Sequence, residues 1–283
     1  MLIGALAIKM IGVLVAIRFL RRGWSELNDT HHHHVATSHV TSPLVLLVWR
    51  LAMLAFTSGV LYVQVAERGP RAFCFFTVWN WTAIIVYFLL ASIASAVSVF
   101  GGERRGEPGR RRTRSTSSSS ASSSASSSKT TKLSRAVATA FHVLTPMTLY
   151  IDIITWTILV PALMKTPDLE RRRHWENVMF SFISYAQHGL NAGIMGVEML
   201  INNIPHSENW SHGVVCMWNI LFALWSLIFF FATGKAIYPF LDLSKHPLEV
   251  WATFLMLLAS SLGSSFLVQK ALRLKCRVLT DRR

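Results

Sequence analysis

NVMFSFISYAQHGLNAGIMGVEMLIN, residues 177–202, is the stretch whose reading decides the fold. It is apolar enough to cross a membrane, yet Asn177, Ser181, Ser184, His188, Asn191, Met195, Glu198 and Asn202 recur at alternating steps of four and three. That spacing predicts a helix with these side chains on one face. An ionisable group at bilayer depth costs roughly 2.5–3.5 kcal/mol on insertion scales, so the stripe is expected to face other helices or a wet cavity. His188 and Glu198 are therefore the leading site candidates. The competing expectation is a stripe that only glues helices together, through hydrogen bonds worth about 0.6 kcal/mol each.

Working outward, apolar runs near the ~20 residues that cross ~30 Å of hydrocarbon fall at about 43–66, 73–100, 136–164, 177–203, 213–234 and 248–270. The expected fold class is all-α, a polytopic transmembrane helix bundle of six core spans. The expected organisation is an N-terminal extension over 1–42, spans one and two over 43–100, a linker over 101–135, spans three to six over 136–270 and a basic tail over 271–283. Residues 1–20, MLIGALAIKMIGVLVAIRFL, are interrupted by Lys9 and run into RFLRR without a small-residue cleavage site. They read equally as an uncleaved signal anchor or as a surface helix.

Composition excludes the other classes. With 52% hydrophobic and 15% charged residues and a mean hydropathy of +0.41, the chain resembles neither a soluble domain nor a disordered one. A net charge of +14 raises the question of nucleic acid, but Lys and Arg gather in loops beside apolar runs, which is how topology is encoded. Membrane lipids are the expected partners, with anionic headgroups at the basic linker, and nucleic acid is not expected. Nine Lys or Arg in 101–135, six from 270 onward and Arg18, Arg21 and Arg22 fall on one face of a six-span arrangement, against eight on the other. The richer face is expected to be cytoplasmic, although Arg171, Arg172 and Arg173 fall opposite. The expected membrane is the endomembrane system, such as the endoplasmic reticulum, or the plasma membrane. Cys74, Cys216 and Cys276 are isolated and form neither a zinc pattern nor a disulfide framework.

The linker, GGERRGEPGRRRTRSTSSSSASSSASSSKTTK over 101–132, is too polar and Ser-rich to bury a core and is expected to be disordered. Arg112, Thr113, Arg114 and Ser115 suit a basophilic kinase, whose phosphate would cancel attraction to anionic lipid. His31–His34 with His39 form a His-rich tract without a spacing that fixes metal geometry, so no metal is expected.

HExxH, GxSxG, GxGxxG and the Walker pattern are absent, so any chemistry must come from polar groups inside the spans. These are Arg50, Thr77, Asn80, His142, Asp152, His188, Asn191, Glu198 and Asn219. Arg50 is expected to pair with Asp152 or Glu198, as a structural ion pair, because buried charges of opposite sign meet. A hydroxyl nucleophile needs a base within hydrogen-bond reach and a third group to orient that base. Thr77, His188 and either Asp152 or Glu198 can supply such a set, although spacing alone does not select Thr77 among the hydroxyls of the spans.

At three places the chain resembles a known superfamily. FCFFTVWNWTAIIVYF (73–88), QHGLNAGIMGVEMLINNIPH (187–206) and LWSLIFFFATGKAIYPFLD (224–242) are similar to the androgen-induced protein family of six-span membrane proteins, and more so to the related rolling stone proteins. The resemblance covers residues 43–270. In the androgen-induced branch it implies an intramembrane threonine hydrolase that cleaves fatty acid esters of hydroxy fatty acids, without metal or organic cofactor. Thr77 matches the nucleophile position. The branch carries HxxH with the second His catalytic, whereas this chain has His188 first and Asn191 second. The base therefore does not match, but positions 188 and 191 are i, i+3 neighbours about 5–6 Å apart at Cβ, so a shift of one turn would let His188 act as base and Asn191 as an oxyanion donor, with Glu198, Asp152 and Asn80 as supporting groups. Rolling stone relatives, which share HGLN, are linked to membrane fusion in muscle development, so a non-catalytic fusion or scaffold role is the alternative expectation. A proton-coupled transporter using His188 and Glu198 is the third. Thr77 is expected about 6 Å and His188 about 16 Å into their spans, at 1.5 Å per residue, so only tilt would join them.

Overall fold

A chain segment inside hydrocarbon must satisfy its own backbone polar groups, and for long apolar runs without strand alternation the helix does so. The computed structural model describes residues 2–28, 32–101, 120–244 and 247–280, and among these the protein is an all-α bundle without strands. Its helices are α1 (Leu2–Asn28), α2 (His32–Ala36), α3 (Pro43–Arg68), α4 (Phe76–Gly101), α5 (Ser120–Ile154), α6 (Val160–Met164), α7 (Leu169–Met179), α8 (Phe182–Tyr185), α9 (Asn191–Ile201), α10 (Glu208–Thr233) and α11 (Pro247–Thr280). Five helical stretches, Pro43–Cys74, Phe76–Gly101, Lys132–Met164, Glu208–Thr233 and Leu248–Leu279, are long and apolar enough to cross a bilayer. Their outer faces show Leu44, Val48, Val86, Ile93, Ile228 and Leu267 exposed. An apolar surface of that extent suits lipid and not water, and the chain is an integral membrane protein.

Local chemistry sets the ends of these helices. Ser42 caps α3 by accepting from the Val45 amide at 3.3 Å, with Pro43 in the first turn. Gly234, at φ +68°, ends α10 in the left-handed conformation that a side chain would oppose.

The fourth expected span is where the sequence reading needs correction. Residues 177–203 do not form one crossing helix: α7 ends at Met179, Ser181 starts α8 by capping the Ser184 amide, and a π turn over Ala186–Leu190 precedes α9. His188 sits in that turn at φ −128°, ψ 25°, outside helical values. The inward face holds for Ser184, His188, Asn191, Met195, Glu198 and Asn202, all buried, whereas Asn177 lies exposed on α7.

The C-terminal end of the linker region also differs from expectation, whereas α4 ends at Gly101, where the linker was expected to start. The helix of α5 begins at Ser120, well inside the expected 101–135 linker, because extending an existing helix fixes one residue per bond and avoids a new nucleus. The stretch 112–115 and His31 lie outside the described residues. At the N-terminus α1 packs against the bundle. It runs antiparallel along α10: a Cβ on Gly12 would meet Ile220, Leu20 meets Gly213, and a Cβ on Gly23 would stand 2.2 Å from the Trp210 backbone nitrogen. Glu26 then accepts from the Ser207 hydroxyl (2.9 Å), the Asn209 amide (2.7 Å) and the Trp210 N–H (3.3 Å), capping α10 from a neighbouring helix.

These contacts sort the bundle into two ends. One gathers the C-termini of α1, α9 and α11 with the N-terminus of α10, joined by Arg273–Glu208 and by Lys275 on the carbonyls of Met199 and Asn202. This end carries most of the basic segments. The other gathers the start of α4, the α10–α11 connection and α6 to α8, and it holds the candidate site.

Candidate functional site

Among the described residues, two buried polar nodes hold the expected site residues Glu198 and His188. The first centres on Arg50 and Glu198, neither of which has exposed side-chain surface. Arg50 Nε and Nη2 donate to Glu198 Oε1 at 3.0 and 2.7 Å. The Tyr87 hydroxyl donates to the same oxygen at 2.7 Å, and Trp49 Nε1 donates to Oε2 at 3.0 Å. Arg50 Nη1 reaches the Val35 carbonyl, the Ala91 carbonyl and Ser95 Oγ. Of the two carboxylates open to Arg50, Glu198 takes it, and α2, α3, α4 and α9 are tied at one point. This set is saturated, which corrects the supporting role expected of Glu198. Ten residues of helix, about 15 Å, separate it from His188, and its donors leave no link for a relay between the two.

The second node forms where two π turns face each other, Thr155–Leu159 after α5 and Ala186–Leu190 before α9. Such widened turns are uncommon and often mark functional positions. The first has a sequence cause: Pro161 has no N–H to give the Thr157 carbonyl, and its ring crowds that carbonyl. The second is held by partners. Trp156 Nε1 donates to the His188 carbonyl. Gln187 and Gln64 exchange a reciprocal amide pair at 3.1 and 2.7 Å, fixing the turn to α3. In this frame Thr155 Oγ1 and His188 Nδ1 are 2.9 Å apart, both buried. With the imidazole proton on Nε2, the Thr155 hydroxyl donates and His188 accepts.

Thr155 also lines a cavity of about 110 Å³. Its walls are mostly apolar, with Phe76, Ile151, Phe222, Trp251 and Phe254, and its polar groups include Thr77, Tyr150, Thr155, Asn219 and Tyr238. Across from Thr155 stands the N-terminus of α4, whose first N–H groups lack helical acceptors. The Phe76 N–H donates to the Tyr238 hydroxyl at 3.2 Å, and both the hydroxyl and the N–H of Thr77 lie against the same oxygen. Burial pushes the Tyr238 hydroxyl, in the connection outside the spans, up to about 12, so it keeps its proton.

The expected residues therefore separate. Thr77 lies on the cavity, but its hydroxyl faces Tyr238, and the imidazole of His188 is taken by Thr155: the expected Thr77–His188 pair is not formed. The helix boundaries explain part of this, since α4 starts only at Phe76 and leaves Thr77 at the rim. Asn191 turns its Oδ1 onto the Ala192 N–H at 2.8 Å and faces Asp152, so it holds the start of α9 and does not project as an oxyanion donor. Asp152 keeps Oδ1 buried without a partner and does not orient His188. Asn80, one turn inside Thr77, likewise has a buried Oδ1 without a partner.

Thr155, Trp156 and Gln64 went unmarked in the sequence, and Tyr238 was marked only as part of the 224–242 stretch, without a role. A signal existed for the first: Thr155 is three residues beyond Asp152, hence on the same helix face. Against known protein families, characterised proteins and solved structures, the chain finds no match.

Proposed function

We propose that this protein is an intramembrane hydrolase of lipid esters, with Thr155 as nucleophile and His188 as its general base. The observation that carries this reading is the 2.9 Å contact of His188 Nδ1 with the Oγ1 of Thr155, a residue that lines an apolar cavity. A hydroxyl and a base at hydrogen-bond distance are the first requirement of acyl transfer. A mostly apolar pocket with a few convergent polar groups suits an ester carrying hydrocarbon arms. A cavity of about 110 Å³ admits the ester and a short piece of each arm, leaving the tails between helices or in the bilayer.

In this reading Thr155 Oγ attacks the ester carbonyl as its proton passes to His188 Nδ1. The carbonyl oxygen gains the charge, and it faces the N-terminus of α4, where the protonated Tyr238 donates to it and the Thr77 hydroxyl turns from Tyr238 to do the same. Collapse expels the alcohol, which takes the proton from the imidazolium and leaves an acyl ester on Thr155. Water, deprotonated by the same imidazole, then releases the acid and restores the Thr155 hydroxyl. The resemblance to the androgen-induced family supplies the reaction class. The nucleophile differs from the one it implies, and Thr77 moves to the oxyanion side.

Membranes containing the protein are expected to label with a fluorophosphonate probe and to cleave fatty acid esters of hydroxy fatty acids. Thr155→Ala is expected to abolish both. Thr77→Val is expected to keep labelling and to slow turnover by about 10²-fold, the usual effect of one lost oxyanion donor. Labelling that survives Thr155→Ala and vanishes in Thr77→Val would return the nucleophile to Thr77. A wild-type chain that neither labels nor cleaves would overturn the hydrolase and leave the non-catalytic scaffold, for which the saturated Arg50–Glu198 node speaks.

A further inference from the structure

The basic end of the bundle holds a second, open cavity of about 630 Å³ with several polar side chains on its wall. Helix α2 contributes His34, the connection from α2 to α3 contributes Thr37, Ser38 and His39, the α9–α10 connection contributes Asn203, and the last turns of α11 contribute Lys275. Ile204, Pro205 and Leu279 give it an apolar edge, and among the described residues lining it there is no carboxylate.

The hydrogen bonds of these side chains define what would fit. Lys275 spends its donors on the Met199 carbonyl at 2.6 Å, the Asn202 carbonyl and Asn202 Oδ1 at 3.4 Å, so it offers the cavity charge and not a bond. Ser38 Oγ accepts from the Val40 and Thr41 amides, both at 3.0 Å, which leaves its own proton to donate. Asn203 donates to Thr37 Oγ1 at 2.9 Å, while its Oδ1 is buried with no partner in the protein. A buried acceptor of this kind is costly to leave unmade, and it asks for a donor from outside. The cavity thus combines a cation, a hydroxyl donor and two imidazoles with one acceptor short of a proton.

We propose that this cavity binds a phosphate ester that carries its own hydrogen-bond donor, the chemistry of a phosphoethanolamine group. The anionic phosphate sits toward Lys275, Ser38 and the histidines, and the ammonium donates to Asn203 Oδ1. The group can come from a lipid headgroup or from a soluble ester. The position at the end of the spans, where headgroups lie about the ~30 Å hydrocarbon core, suits the former.

The test is thermal unfolding of the full chain in detergent, titrated with phosphatidylethanolamine, with phosphatidylcholine and with soluble phosphoethanolamine. Phosphatidylcholine has the same phosphate but no N–H. The ethanolamine lipid is expected to raise Tm with a half-saturating concentration about tenfold below that of the choline lipid, the worth of one hydrogen bond to a charged group. Asn203→Leu is expected to erase this preference, and His39→Ala to weaken the response to both lipids about tenfold. A response to the lipid without one to phosphoethanolamine identifies the headgroup as the source, and a response to both admits the soluble ester. Equal response to the two lipids, no Tm shift with any of the three, or a preference unchanged in both variants, as binding at the basic linker would give, overturns the proposal.

Discussion

Glu198→Gln keeps the shape of the side chain and removes its charge. It leaves Arg50, which has no exposed side-chain surface, without a counter-ion. Breaking one side of a buried pair costs about 3–5 kcal/mol, because the remaining charge cannot reach water. For a chain of 283 residues an unfolding entropy of about 2.1 cal/mol/K per residue converts this into a fall of about 5–8 °C in Tm. Arg50→Met should cost a similar amount by exposing the opposite charge. The double variant Arg50→Met/Glu198→Gln removes both charges and leaves one neutral amide to meet the Trp49 and Tyr87 donors, at about 1–3 kcal/mol for each donor left unmet. Its loss should therefore be at most about 2–6 kcal/mol, below the roughly 6–10 kcal/mol sum of the single variants. Thermal unfolding of the purified protein in detergent measures all three. A Glu198→Gln protein that melts with the wild type, or a double variant that loses the full sum, would refute the assignment of this node as a coupled ion pair.

Other consequences of the geometry are open to the same kind of measurement. Tyr238→Phe removes a donor from the oxyanion side and orphans the Phe76 N–H, so it should lower kcat by about 10²-fold and cost about 1–3 kcal/mol in stability; an unchanged kcat at temperatures where the variant is fully folded would take Tyr238 out of the chemistry. Gln64→Leu orphans the buried Gln187 amide and should cost about 1–3 kcal/mol in stability. Because it also frees the turn that carries His188, ester turnover should fall in the variant at temperatures where it is fully folded. Gly23→Ala places a methyl inside the Trp210 backbone contact and should destabilise the protein by about 1–3 kcal/mol; protease accessibility of α1 would rise in step, and a variant as resistant as wild type would mean that α1 does not need this close approach.

The bundle itself was legible because its signals are local and large. Runs of apolar residues specify helices, and a Glu inside one must be sheltered, which led to Arg50 and the inward face from Ser184 to Asn202. The site was less legible because its geometry comes from long-range partners. Threonine in an apolar helix ordinarily returns its hydroxyl to the preceding turn, and Thr57, Thr82, Thr145 and Thr157 do so, each bonding the carbonyl four residues back. Nothing in its neighbours marks Thr155 as the exception. What frees it is the π turn that Pro161 loosens from the far side, together with an imidazole 33 residues away that offers a better acceptor. The turn at His188 has the same character, since Trp156, 32 residues earlier, captures its carbonyl. A π turn also slips the helical phase, which is why Gln187, off the expected row, is buried beside His188 and meets Gln64. The regular four-and-three spacing thus identified the inward face from Ser184 to Asn202, whereas Thr77, taken as partner from the resemblance, gives way to Thr155 at His188. If the slip is what delivers His188 to Thr155, deleting Gly189 should restore an uninterrupted helix. It should abolish fluorophosphonate labelling while leaving the Arg50–Glu198 end folded, as thermal unfolding and protease resistance would report. Retained labelling in that variant would show that the π turn is not what positions the base.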